Sequence, residues 1–290
     1  MASVLDGAYQ TSGEIWEQAS KLYKPSMLEE IRGIETGEIV VVAGVHDHVE
    51  RLLDTLKIPY DTIASDNIPT HNGGRVFFAN CKRYSTSNKM QEATRELVSS
   101  GGRLVTTDWA LDLVSQSFPG KYTKTGSSPD AVVEIDCITP ISRELIGMNY
   151  AQCRPQWGLE ASRDIYSIGK GVTPIITSRE MESRFGQAYV MSGFQHGEGE
   201  AIHFISHLEL QRTRQKGKSA QGSLDDFLAK MQIERTDDMD DMGIAELEAA
   251  YSTLNTVAYL CLRGPVLERS SNSVMATTHV GSVAKSTRLV

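Results

Sequence analysis

The 290-residue chain is predicted to be an α/β protein built on a mostly parallel sheet with helices on both faces. Two observations lead there. Short β-branched runs alternate with stretches of helical periodicity, the signature of βαβ units. The runs are apolar at consecutive rather than alternate positions, as in strands covered on both faces. The 40% hydrophobic and 23% charged content is that of a folded globular protein, and the length allows one sizeable core.

Residues 1–37 read as a polar, partly helical lead-in, with SGEIWEQASKLY as its helix. The α/β domain is expected over 38–263. Its first strand is EIVVVAG (38–44), followed by a helix over 46–58 with Val49, Leu52, Leu53 and Leu56 on one stripe. A short strand near YDTIAS precedes a second buried strand, RVFFANC (75–81). A helix over 89–102 closes on Gly101 and Gly102, and RLVTTD (103–108) leads into the helix WALDLVSQSF. Residues 130–147 suggest a strand and a helical turn, and 130–171 as a whole a connecting lobe. The segment 188–211 reads as a hairpin around HGEGE, whose glycines suit a turn; without a following helix or a lysine it is no phosphate loop. Residues 212–243 are polar and acidic and read as an insertion. The helix over 244–263 carries the stripe Leu247, Ala250, Tyr251, Leu254 and Val257. The Ser/Thr-rich 264–290 lacks core-forming residues and is expected to be disordered.

Several classes are excluded or disfavoured. A net charge of -8 argues against a nucleic-acid surface, which draws its affinity from clustered Lys and Arg. The basic run Arg212, Arg214, Lys216 and Lys218 reads as a solvated loop. No apolar stretch approaches the roughly 20 residues of a membrane span. The N-terminus has no signal-peptide pattern. The four cysteines (Cys81, Cys137, Cys153, Cys261) form no close pair, so a reducing, cytoplasmic setting is expected.

In parallel sheets ligands bind beyond the carboxyl ends of the strands. That directs attention to His46, Asn80, Cys81, Thr107, Asp108 and Trp109. Asp108, between a strand and a helix, reads first as a helix cap, and otherwise as a base, ligand or nucleophile. Cys81 sits beside Lys82 and Arg83, and nearby positive charge favours a thiolate. His203 and His207 are four apart; on a strand that spacing separates them by roughly 13 Å, too far for one ion. His46-Asp47-His48 is a weak metal signal. No metal and no cofactor is expected.

This order of elements resembles the class I glutamine amidotransferase-like superfamily, a flavodoxin-like fold. Its catalytic members carry a glycine-rich turn after the third strand, a cysteine on a sharp elbow after the fourth, and a late His-x-Glu. Here the turn is CKRYS without paired glycines, the elbow position falls on Asp108, and His207-Leu208-Glu209 matches His-x-Glu. The resemblance implies a divergent member, similar to the trehalose-utilisation-type domains, without glutamine amidotransferase activity. It implies a non-catalytic module that binds a protein partner or a small molecule. The alternative is a divergent hydrolase using Asp108, His207 and Glu209, with Cys81 or His46 as a further member, which requires those side chains to converge. A third reading makes the acidic 237–241 run and the tail docking segments.

Overall fold

The computed structural model describes residues 4–71, 73–147, 156–159, 163–208, 222–237, 239 and 243–267. The chain begins with two helices, α1 (Val4–Tyr23) and α2 (Pro25–Arg32). The strands β1 (Ile39–Val42), β2 (Asp61–Ile63), β3 (Val76–Ala79) and β4 (Arg103–Thr107) follow, with α3 (Glu50–Thr55) and α4 (Asn88–Ser99) between them. After α5 (Leu111–Ser117) come β5 (Tyr122–Ser128), β6 (Ala131–Glu134), β7 (Asp136–Cys137), α6 (Pro140–Ile146), β8 (Gln156–Leu159) and β9 (Arg163–Ile168). The last elements are β10 (Thr173–Thr177), α7 (Arg179–Phe185), β11 (Tyr189–His196), β12 (Gly199–Phe204), α8 (Leu224–Met231) and α9 (Ile244–Cys261).

Eight strands form the main sheet in the order β2-β1-β3-β4-β12-β11-β10-β7. The first five are parallel, in the flavodoxin-like order, and the last three extend the sheet antiparallel. β1, β3 and β4 are buried along their whole length, which is why β1 and β3 read as continuous apolar runs. Connections between parallel strands are right-handed, so the helix face is set by the direction of travel along the sheet. From β1 to β2 the chain moves outward and places α3 on one face; from β3 to β4 it moves the other way and places α4 on the opposite face. α1 and α9 pack with α3, whereas α4 packs with α5 and with the 3-10 turn Ser65–Thr70.

Most expected elements are present, and the differences have physical causes. The lead-in is not a polar appendage: Ile15, Trp16 and Ala19 of α1 are buried, and its Ser12 donates to the Leu247 carbonyl of α9 at 3.1 Å. Its apolar stripe is diluted by small and polar residues, which hides it in the sequence. Among the described residues the connecting lobe contributes β9, which pairs antiparallel with β5, and the antiparallel pair β6 with β8. The acidic stretch contains α8, started by a capping box between Ser223 and Asp226. The basic run and most of the acidic run lie outside the described residues. α9 is buried well beyond one stripe, with Thr253, Asn255 and Thr256 at 0–1% exposure, because α1, α3, α6 and α8 surround it.

The hairpin is as expected, with His196 paired to Gly199 and Gly197 in the left-handed region at φ 61°. The first residues of the expected tail are anchored. Glu200 accepts hydrogen bonds from the backbone N–H of Val266 (2.8 Å) and Leu267 (3.0 Å). Arg103 pairs with Glu200 at 2.6 Å and donates to the Leu260, Leu262 and Gly264 carbonyls. This buried strap holds the end of α9 at the amino ends of β4 and β12.

Candidate functional site

Strand register brings four loop segments to one place. Val42 pairs with Ala79, Ala79 with Thr106, and Thr107 with Phe204, so the carboxyl ends of β1, β3, β4 and β12 are level. Asp47 follows the end of β1, Cys81 the end of β3, Asp108 the end of β4 and His207 the end of β12. All four are buried, at 0%, 0%, 1% and 2% exposure.

Asp108 is the centre of the group. Its φ is 46°, in the left-handed region that a side chain with a Cβ disfavours. This turns the chain sharply out of β4 into a single 3-10 turn, Asp108–Ala110, and then α5. Asp108 Oδ2 accepts a hydrogen bond from Cys81 Sγ at 2.8 Å and lies 3.6 Å from His207 Nε2. The three donor atoms all lie within 4.8 Å of one another. The capping expectation is therefore overturned: neither the 3-10 turn nor α5 has a side-chain cap hydrogen bond. The left-handed elbow turns the carboxyl towards the ends of β3 and β12 instead.

Asp47 is the member that sequence reasoning missed. In His46-Asp47-His48 the histidines drew attention, yet both are exposed and the aspartate between them is fully buried. Asp47 Oδ2 accepts from the Thr107 hydroxyl at 2.5 Å, while its Oδ1 is buried with no hydrogen-bond partner. Burial pushes its carboxyl above the ordinary range, against the pull of His207 and the Thr107 hydroxyl. Glu50 and Asp108 push it the same way as burial, so three carboxylates share this corner. The signal was available as an acidic residue just beyond a buried parallel strand.

The rim is polar and tied down. Asn80 donates to Glu50 at 2.9 Å. Trp109 lies edge-on to His46, with ring centroids 5.4 Å apart, and the Arg83 guanidinium sits 4.6 Å from its ring centre. The cations expected to activate Cys81 are engaged elsewhere. Lys82 donates to Ser65 at 2.7 Å, and Arg83 grips Asp164 with two hydrogen bonds of 2.5 and 3.0 Å. Despite burial, Arg83 and Lys124 hold the Asp164 carboxyl below its usual range. The direct neighbours of the Cys81 thiol are thus a carboxylate and an imidazole.

His203 is not part of the group. It sits within β12, with its Nδ1 2.9 Å from the Thr106 hydroxyl and its ring against Tyr166. Burial pulls its pKa down to about 3, so it is a neutral core residue. Glu209 lies outside the described residues. Open grooves occur elsewhere: one of about 560 Å³ is lined by Tyr9, Glu17, Arg51 and Asp54, another of about 660 Å³ by His71, Phe77 and Leu97.

No protein-family model matches the chain, and no curated protein matches its sequence. Among solved structures, a glutamine amidotransferase from Methylobacillus flagellatus is similar at 14% identity and a TM-score of 0.47, over 80% of this chain and 96% of that one. A β-galactosidase from Rahnella sp. R3 is similar at 14% identity and 0.46, over 60% of this chain. A glutamine amidotransferase from Thermotoga maritima is similar at 8% identity and 0.39, over 59% of this chain and 75% of that one. The chain spans 29% of the length of the β-galactosidase. At these values the likenesses carry no functional reading, and the fold rests on the strand order itself.

Proposed function

We propose that this chain is a divergent hydrolase whose attacking water is activated by Asp108 and His207 at the carboxyl end of the sheet, beside Cys81. One observation carries the reading: Asp108 Oδ2 and His207 Nε2 lie 3.6 Å apart, on a residue held at φ 46°. A left-handed non-glycine costs on the order of 1–3 kcal/mol and persists where the surroundings demand it, typically at ligand and catalytic sites. A carboxylate and an imidazole in reach of each other are the usual pair for taking a proton from water. An acyl transfer from a cysteine at the elbow is not available, because Asp108 occupies that position. Glu209 joins this reading through the His-x-Glu pattern alone.

The test is a panel of chromogenic carboxylic esters, phosphoesters, amides and glycosides, assayed with the wild type, Asp108→Asn and His207→Gln. One class should be turned over, and each variant should lose about 10²–10⁴-fold in rate. Turnover equal in Asp108→Asn, or absent across the panel, rejects the hydrolase. A second reading, a binding module without chemistry, is favoured by the closure of the cluster, none of whose four residues exceeds 2% exposure. It expects no turnover and an Asp108→Asn effect on stability alone. A cytoplasmic setting fits both readings: no disulfide joins the described cysteines, and no helix among the described residues is long and apolar enough to cross a membrane.

A further inference from the structure

We infer that Cys81 Sγ, Asp108 Oδ2 and His207 Nε2 are three ligands of a zinc-class divalent cation, with a fourth position left for water. This rests on the hydrolase reading and deepens it: with the ion bound, Asp108 and His207 act on the water by holding the metal that polarises it, not as its direct base. Three independent observations lead to it.

The first is the donor set. A thiolate, an imidazole and a carboxylate together suit zinc, and three protein ligands with one open position is the pattern of catalytic zinc sites. The second is spacing. Ligand atoms around a tetrahedral zinc stand about 3.3–3.6 Å apart, given bonds of about 2.0–2.3 Å. The Asp108–His207 separation of 3.6 Å matches this, and all three donors lie within 4.8 Å. The Cys81–Asp108 separation of 2.8 Å is that of a proton-bridged pair and widens once the proton leaves.

The third is charge. Asp47 is bonded to Thr107 beside Asp108, Glu50 to Asn80 beside Cys81, and Asp47 Oδ1 is fully buried without a hydrogen-bond partner. Lys82 and Arg83, the nearest cations in sequence, are held by Ser65 and Asp164. Clustered buried carboxylates are costly unless a cation or a proton neutralises them, and a divalent ion does so directly. Asp47, whose Oδ2 accepts from Thr107 beside Asp108, then serves as a positioning residue for that ligand. Binding is balanced by proton release: the Cys81 S–H bond breaks, a sulfur–metal bond forms, and the proton passes to solvent.

The experiment uses the full chain, stripped of metal and titrated with Co²⁺ and Zn²⁺. One equivalent of Co²⁺ should give a sulfur-to-cobalt charge-transfer band that Cys81→Ser removes. X-ray absorption of the zinc-loaded wild type should show one sulfur at about 2.3 Å and nitrogen or oxygen at about 2.0–2.2 Å. Asp47→Asn should keep the band and weaken affinity about 10–100-fold. A shell without sulfur, or a band retained in Cys81→Ser, overturns the site. The absorption measurement needs only the wild type, so a variant that fails to fold does not decide the matter. The two proposals fail separately: metal bound without turnover sinks the hydrolase alone, and turnover that survives chelation with no metal bound sinks the metal site alone.

Discussion

Asp108 is where backbone and chemistry meet. At φ 46° an alanine is strained and a glycine is not, and both substitutions remove the carboxylate. Asp108→Gly should therefore be more stable than Asp108→Ala by about 1–2 kcal/mol. Urea unfolding checks this, and equal stabilities would refute a strained elbow. His203 provides a second residue-scale prediction. Its folded pKa is about 3, lowered by burial from 6.5. Between those values the unfolded chain takes up a proton that the fold refuses. The stability this residue contributes is fully present above pH 6.5 and is lost as pH falls towards 3, by about 1.4 kcal/mol per pH unit. Asp47, raised by burial, works in the opposite direction. Comparing acid denaturation of the wild type with His203→Gln isolates the histidine, and the variant should show the shallower slope.

Among the elements, β4 and β12 depend on their amino ends as much as on their site. Arg103 and Glu200 are 5% and 2% exposed, and each also bonds the backbone of 260–267. Removing one partner of a buried pair leaves the other uncompensated, so Glu200→Ala should cost about 3–5 kcal/mol in chemical denaturation. On α9, Leu254 is fully buried, and Leu254→Ala should cost about 2–5 kcal/mol by the same measurement. A Leu254 variant that unfolds like the wild type would contradict the close packing of this helix. These elements differ in how readable they are. The stripe of α9 and the β-branched runs of β1 and β3 declare themselves, because burial selects residue type directly. α1 does not, since Thr11 and Ser12 are buried within its packed face and dilute its periodicity.

At the scale of the whole molecule, parallel strands explain why a site could be read at all. Strands running the same way put their carboxyl ends on one rim, so Cys81, Asp108 and His207 were each legible as rim residues. Their mutual distances were not. That β12 inserts beside β4, across nearly a hundred residues, is a non-local pairing with no local signature. The same gap hid Asp47, which is bonded to Thr107 at the end of β4, and it made Lys82 and Arg83 look like partners of Cys81 when Ser65 and Asp164 hold them. Local pattern gave the direction of each strand; tertiary packing chose the company at its end.

The packing of α1 on α9 bears on how the chain is born. A ribosome makes Ile15 and Trp16 more than two hundred residues before Leu247 and its neighbours, which belong to the surface that α1 packs on. Throughout that interval the apolar side of the first helix lacks its final cover, and β4 lacks the strand that completes it until residue 204 has emerged. Nascent chains halted before residue 244 should accordingly bind an apolar dye or a holdase chaperone through α1, and chains carried past 261 should not. Over that stretch of synthesis α1 is a client awaiting α9.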